Sequence, residues 1–152
     1  MQMSPDDFLD IIDQTLDGML AIAEELGDDR VNRQPDLPGA NSPYVILAHC
    51  VGLTHFWIGE VLGGRQVNRD REAEFRARGT VADMRRHVQT LKQHLRQDIS
   101  HVRGDQPLTV TLSGRSERMQ NKRQGAILLH CYKELAQHHG HMDLTRDLLM
   151  QP

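Results

Sequence analysis

The segment HCYKELAQHHGHMD, from His130 to Asp143, holds the side chains of this chain best suited to chemistry. Glu134 and His138 stand four residues apart, so on a helix they lie about one turn apart on one face. A carboxylate and an imidazole in that relation can bind the same divalent ion, as Glu-x-x-His and His-x-x-x-His pairs do inside helical bundles. His130 lies one turn earlier, and His141 follows His138 by three residues near the same face. All four read as pointing inward beside Leu128 and Leu135. A buried carboxylate needs a partner, and a metal ion is one form of compensation. A third ligand has to come from another helix. His49 is the best placed, mid-helix among Ile46, Leu47, Val51 and Leu53, whereas His55, six residues on, turns well away from it. Spacing alone leaves a second reading open: a histidine on an apolar face is commonly a hydrogen-bonded core residue, and an acid four residues from a histidine arises by chance.

Other groups carry two readings each. Arg115, Arg118, Lys122 and Arg123 cluster where the last helix begins, either as a solvated basic turn or as a hold for an anionic thiol or substrate at the mouth of the bundle. Trp57 reads as a core or interface anchor in preference to a substrate platform. Asp143 either orients a ligand histidine or pairs with Arg146 a turn away. Cys50 and Cys131 lie in apolar helical contexts and read as small buried core residues, not as a disulfide. The chain carries no phosphate loop, nucleophile elbow or Cys-x-x-Cys pair.

Four segments with helical periodicity would have to position these groups. The first runs from Pro5 to Leu26, capped by Ser4 with proline at the first helical position. Its apolar stripe is Phe8, Ile11, Ile12, Leu16, Met19, Leu20 and Ala23, and Gly27 is its stop. Ser42 and Pro43 repeat the start signal for a second helix to Leu62, closed by Gly63-Gly64. The arginine-rich connection from Arg65 to Gly79 reads as solvated surface. Thr80 opens a third helix over Val81 to His101. Gly104 to Ser116 contains the alternating stretch Leu108 to Leu112, a short strand or an extended loop. The fourth helix runs from Asn121 to Met150, with Ile127, Leu128, Cys131, Leu135, His138, Met142, Leu148 and Leu149 on its inner side. Amphipathic helices without a firm strand signal predict an all-α, antiparallel four-helix bundle.

Composition limits what such a bundle does. The 152 residues, 38% hydrophobic and 26% charged, suit one globular domain spanning 1–152. A net charge of -3 argues against a duplex nucleic-acid binder, which normally shows a strongly basic face. No apolar run reads as approaching the ~18 residues of a membrane span, and the opening MQMSPDDFLD lacks the basic and apolar regions of a leader. The expected location is the cytoplasm, with no membrane partner.

Two blocks of sequence add a resemblance. SPYVILAHCVGLTHFWIGEVLGG has an apolar lead-in, a histidine, and a tryptophan eight residues later. LLHCYKELAQHHGHMDLTRDLL has Glu, three residues, His, one residue, Gly-His, one residue, Asp. In helix order over most of the chain, these resemble the DinB-like superfamily, in particular the branch that includes the metal-binding domain of mycothiol-dependent maleylpyruvate isomerase. The family's ligands, one histidine of the second helix and two residues four apart on the fourth, fall by position on His49, Glu134 and His138. Many DinB-like proteins have histidine where this chain has Glu134; the glutamate is similar to the mycothiol-linked branch.

The resemblance implies a divalent metal and a low-molecular-weight thiol of the mycothiol or bacillithiol type, conjugated to electrophilic small molecules by an S-transferase. It also implies a role for His141 as a base or hydrogen-bond partner beside the metal, or else a structural one. Zinc is the metal expected; nickel, iron and manganese suit the same ligands. The isomerase carries a further C-terminal domain, and this chain ends soon after its fourth helix, so a stand-alone S-transferase is expected in preference to an isomerase. Two other functions fit the same motifs: a non-catalytic, metal-stabilised stress-response bundle, for which a homodimer is allowed, and a metal-dependent hydrolase.

Overall fold

A computed structural model describes residues 4–151. The first three residues of the stretch read for a leader lie outside it. The fold is all-α, and no strand occurs among the described residues. Helix α1 spans Pro5–Val31, α2 Pro43–Thr54, α3 Arg71–Glu74, α4 Val81–Asp98 and α5 Gln124–Met150. The four long helices form the bundle. Helices α4 and α5 each pack against both α1 and α2, and α1 also touches α2.

The starts of the helices follow local chemistry. The Ser4 side chain accepts a hydrogen bond from the Asp7 N–H, with proline next to the cap and two aspartates in the first turn. Ser42 does the same for Val45. Thr80 and Asp83 form a reciprocal capping box. Each satisfies N–H groups that a helix start leaves without partners. The buried faces carry Ile12, Leu16 and Met19 of α1, Leu47 and Cys50 of α2, Leu91 and Leu95 of α4, and Ile127, Leu135 and Met142 of α5, each no more than 1% exposed.

Several boundaries differ from the sequence reading. Gly27 does turn the chain, with φ 67°, but helical winding resumes past it to Val31. The extra turn docks on the start of α4: Asp28 accepts from the Val81 N–H at 2.7 Å, and Asn32 bonds both the N–H and the carbonyl of Gly79. Ile11 and Leu148, expected inward, are 39% and 41% exposed. Helix α4 ends at Asp98, and α5 begins at Gln124. The stretch Leu108 to Leu112 is extended loop, with one isolated bridge nearby between Pro107 and Arg123. A 3₁₀ turn, Gly114–Met119, follows.

Two departures matter for the site. First, α2 continues as a π-helical stretch, His55–Leu62, closed by i to i+5 bonds such as Gly63 N–H to the Ile58 carbonyl at 2.8 Å. Such wide winding is rare and concentrates at functional sites. The combined helix, Pro43–Leu62, is long and apolar enough to cross a membrane, contrary to the expectation that no run approaches that length; about two thirds of it is buried in the bundle. Second, the connection read as solvated is partly internal. Asp70 caps the short α3, and Glu74 at its end is only 8% exposed. Arg65 reaches Asp98 with two guanidinium nitrogens.

Candidate functional site

Helices α2 and α5 face each other, and His49 of α2 comes against His138 of α5 along that contact. The His49 ring stands 5.0 Å from the His138 ring, centroid to centroid and nearly perpendicular to it. Glu134, one turn before His138, lines a cleft of about 490 Å³ together with His49, Trp57, His130, Arg115 and Arg118. His141, read as inward, is exposed and does not line the cleft; its ring lies 6.3 Å from that of His138. His130 packs edge-on against Trp57 at 5.1 Å and lies 3.9 Å from the Glu134 carboxylate.

Three residues of the site went unread in the sequence, all from the connection after α2. His49 Nδ1 lies in hydrogen-bond contact with Glu74 Oε2 at 2.8 Å. Arg69 grips the same carboxylate with two nitrogens, at 2.6 and 2.9 Å. Arg71 lies over the Phe75 ring and lines the cleft. Gly52 makes this possible: a methyl group there would fall on Glu74 Oε1. Neither periodicity nor spacing marks a glutamate in a charged loop as buried, so no sequence signal was available to find it.

Electrostatics favour a neutral ring at His138 and His130 and ionised carboxylates at Glu74 and Glu134. Burial, then the nearby His49, holds His138 below the usual histidine range. Burial likewise lowers His130, partly offset by Glu134. Burial alone would raise Glu74, but the hydrogen bonds from His49 and Arg69 outweigh it and keep its carboxyl low. Glu134 is also low, because its contact with Lys133 outweighs burial. A neutral imidazole keeps a lone pair for a ligand. His138 Nδ1 is buried and has no hydrogen-bond partner. An unpartnered buried polar atom costs about 1–3 kcal/mol, so such atoms in native proteins call for an explanation.

As the side chains stand, no three His, Cys, Asp or Glu groups among the described residues are gathered closely enough to hold one ion. Glu134 leans toward Lys133, 3.1 Å away, and the Nδ1 of His49 is taken by Glu74. The donor set itself, two imidazoles and a carboxylate with one ring nitrogen unpartnered, has the chemistry a divalent ion takes.

The protein's own thiols are unsuited to nucleophilic work. Cys50 and Cys131 are both free and buried, as expected. Burial pushes the Cys131 thiol up to about 12 and Cys50 well above the ordinary thiol range. Since the thiolate is the reactive form, any sulfur chemistry in the cleft has to use sulfur from outside. The chain matches the family model described as Mycothiol-S-transferase over residues 7–151.

The chain belongs to the mycothiol S-transferase family.

No curated protein matches the chain. Membership agrees with the DinB-like, mycothiol-linked resemblance drawn from the two sequence blocks, and it names a thiol cosubstrate. In this family member Arg71, Arg115 and Arg118 line the cleft with the carboxylate of Glu134, while Arg69, also in its lining, is paired with Glu74. Trp57, read as a core anchor, is 7% exposed and also forms part of the cleft wall. Asp143 and Arg146 form the ordinary pair one turn apart, at 3.1 Å.

Proposed function

We propose that this mycothiol S-transferase family member is a cytoplasmic, divalent-metal-dependent enzyme that transfers the sulfur of a low-molecular-weight thiol to an electrophilic small molecule. The observation that carries the reading is the pairing of an arginine-lined cleft bearing His49 and Glu134 with two protein thiols that burial silences. His49, Glu134 and His138 would hold the ion, zinc being the metal expected. When bound, a divalent cation with open positions stabilises thiolate over thiol near neutral pH.

The chain's residues prepare the rest. His138, kept neutral by burial, offers a lone pair, and His49 is held at Nδ1 by its contact with Glu74. Arg115 and Arg118 hold the cosubstrate at the cleft mouth, and their charge draws anionic reactants toward a narrow low-dielectric opening. Trp57 and Phe56 give the cleft an apolar wall. His141, exposed and with its ring 6.3 Å from that of His138, is the acceptor we assign for the thiol proton. The thiolate sulfur then forms a bond to the electrophilic carbon while the bond to the leaving group breaks, and that group departs with its electron pair.

The test is elemental analysis of purified protein followed by conjugation of mycothiol to a bimane or chloro-nitroaromatic. We expect about one divalent ion per chain and metal-dependent conjugation that His49→Ala and Glu134→Gln abolish. An unchanged rate in His49→Ala would remove that residue from the site. Metal-dependent melting with no turnover over a range of thiols and electrophiles would leave a metal-stabilised bundle without catalysis.

A further inference from the structure

Glu74 sits at the end of a four-residue helix in a loop, yet it is 8% exposed, less than any other acidic side chain here except Asp98. Burying a carboxylate is costly unless its charge and lone pairs are met. Here they are met by two parties with different consequences. Arg69 supplies two N–H groups and a full positive charge, which keeps Glu74 ionised. His49 supplies the third hydrogen bond, at 2.8 Å.

An ionised carboxylate only accepts hydrogen bonds, so the proton in that contact belongs to His49 Nδ1. A neutral ring then has its only lone pair on Nε2. Three further features hold this arrangement. Asp70 caps α3 by accepting from the Ala73 N–H, which fixes the backbone of the preceding turn. The Phe75 ring lies 5.3 Å from the His49 ring. Gly52, one turn after His49, leaves the space that Glu74 occupies.

We infer that Glu74 is a positioning residue, clamped by Arg69, that fixes His49 as the Nδ1–H tautomer and so presents Nε2 to the cleft. This deepens the reading of His49 as a ligand and rests on it. A carboxylate on the far nitrogen of a ligating imidazole sets its tautomer, its ring orientation and its basicity, and losing such a partner costs 10–100-fold in metal affinity.

The experiment has two arms on the full chain. In the first, long-range ¹H–¹⁵N correlation of the metal-free protein reads the His49 tautomer directly. Wild type is expected as Nδ1–H. Glu74→Ala should give a mixture of tautomers. Gly52→Ala should do the same with Glu74 still present, because the added methyl displaces the carboxylate. Alanine favours the helix over glycine by about 0.8–1 kcal/mol, so that variant is expected to remain folded. In the second arm, cobalt(II) or zinc(II) affinity is measured by competition with a chromophoric chelator. Glu74→Ala and Gly52→Ala should bind 10–100-fold more weakly, and Glu74→Gln, whose amide oxygen still accepts from Nδ1–H, should recover part of the loss.

Retention of the Nδ1–H form in both alanine variants overturns the inference, as does binding of the metal by wild type and Glu74→Ala with the same measurable affinity. If wild type binds no divalent ion although His49 is Nδ1–H and loses that form in Glu74→Ala, the functional reading falls and the positioning role of Glu74 stands.

Discussion

Helix α2 places His49 and its π-helical continuation places His55, and the two rings enter clusters built from the same parts. His49 meets the Glu134 and His138 pair of α5, one turn apart. His55 meets the pair His94 and Asp98 of α4, also one turn apart, with the His94 ring 5.5 Å away. Each cluster contains a buried imidazole nitrogen without a hydrogen-bond partner, Nδ1 of His138 and Nδ1 of His94. What separates them is the position of the nearest guanidinium. In the second cluster Arg65 lies inside: its Nη2–H donates to His55 Nδ1 at 3.0 Å and to Asp98 Oδ2 at 2.8 Å. Gly59 leaves room for it, since a methyl group there would fall on Arg65 Nη2. In the first cluster Arg69 is set one step back, on Glu74, and it touches no ligand candidate directly. A built-in cation closes one cluster, and the other opens to a cleft. Spacing of acid and histidine does not tell these cases apart; the location of the protein's own positive charge does.

The largest effect expected from breaking this contrast is on the closed cluster. Asp98 is 5% exposed, and Arg65→Met leaves its charge buried without a counterion. Removing one partner of a buried pair costs about 3–5 kcal/mol, and the low end applies because Arg65 is 29% exposed. Urea denaturation should show a loss of about 3 kcal/mol, with metal affinity at the His49 cluster unchanged. An undiminished midpoint would show that Asp98 does not depend on Arg65.

Metal removal comes next. A ligand bound to the folded state alone, at 100 times its Kd, adds about 2.7 kcal/mol of stability. Chelation should therefore lower the melting temperature of wild type but not of His49→Ala, and it should act equally on wild type and His55→Asn. A chelation effect that disappears in His55→Asn instead would move the cation to the cluster described here as closed.

A smaller effect comes with pH. Burial, then the Arg65 charge, pulls His55 from its ordinary 6.5 down to about 4, with His94 and His87 adding to the fall and Asp98 opposing it. The unfolded chain thus binds a proton at His55 between about pH 6.5 and 4 that the folded chain refuses. Stability from this residue is complete above pH 6.5, declines as pH falls, and is gone below about 4. Solvent screening reduces the effect to about 1 kcal/mol. The decline between pH 6.5 and 4 should be shallower in His55→Asn than in wild type; equal slopes would show that His55 is protonated in the fold.

Much of this contrast was legible in the sequence, though not the part that decides it. Ser4, Ser42 and Thr80 marked helix starts because a cap is local chemistry. Glu134 and His138 stood out because turn spacing is local too, His49 because it lies mid-helix among apolar residues and at the family's ligand position, and Arg115 and Arg118 could be read as a basic cluster at the start of the last helix. What stayed hidden depends on contacts across long separations or on non-standard winding. Glu74 reaches a histidine 25 residues away, and Arg65 an aspartate 33 away, from a segment whose charges looked solvated. The π turns over His55–Leu62 follow no 3.6-residue period, so the pattern gave no sign of them. His141 read as inward yet is exposed, because the buried stripe at this level of the helix runs through Met142 and Thr145, and His141 lies about 100° round the helix from Met142.

The smallest effect sharpens the contrast most, because the open cluster also has a neighbouring cation of its own. Lys133 Nζ lies 3.1 Å from Glu134 Oε1, but its side chain is 57% exposed, against 29% for Arg65. An exposed ammonium paired in water contributes about 0.2–1 kcal/mol and is easily given up. Glu134 should therefore leave Lys133 for a divalent ion at little cost, whereas Asp98 could not leave Arg65 without stranding a buried charge. Lys133→Met removes the competitor. Its expected outcome is about twofold tighter cobalt(II) binding by chelator competition, a change of about 0.4 kcal/mol, with an unchanged denaturation midpoint. The gain should shrink as ionic strength rises, because salt already screens an exposed pair. Affinity that stays equal or falls would mean that Lys133 does not hold Glu134 back.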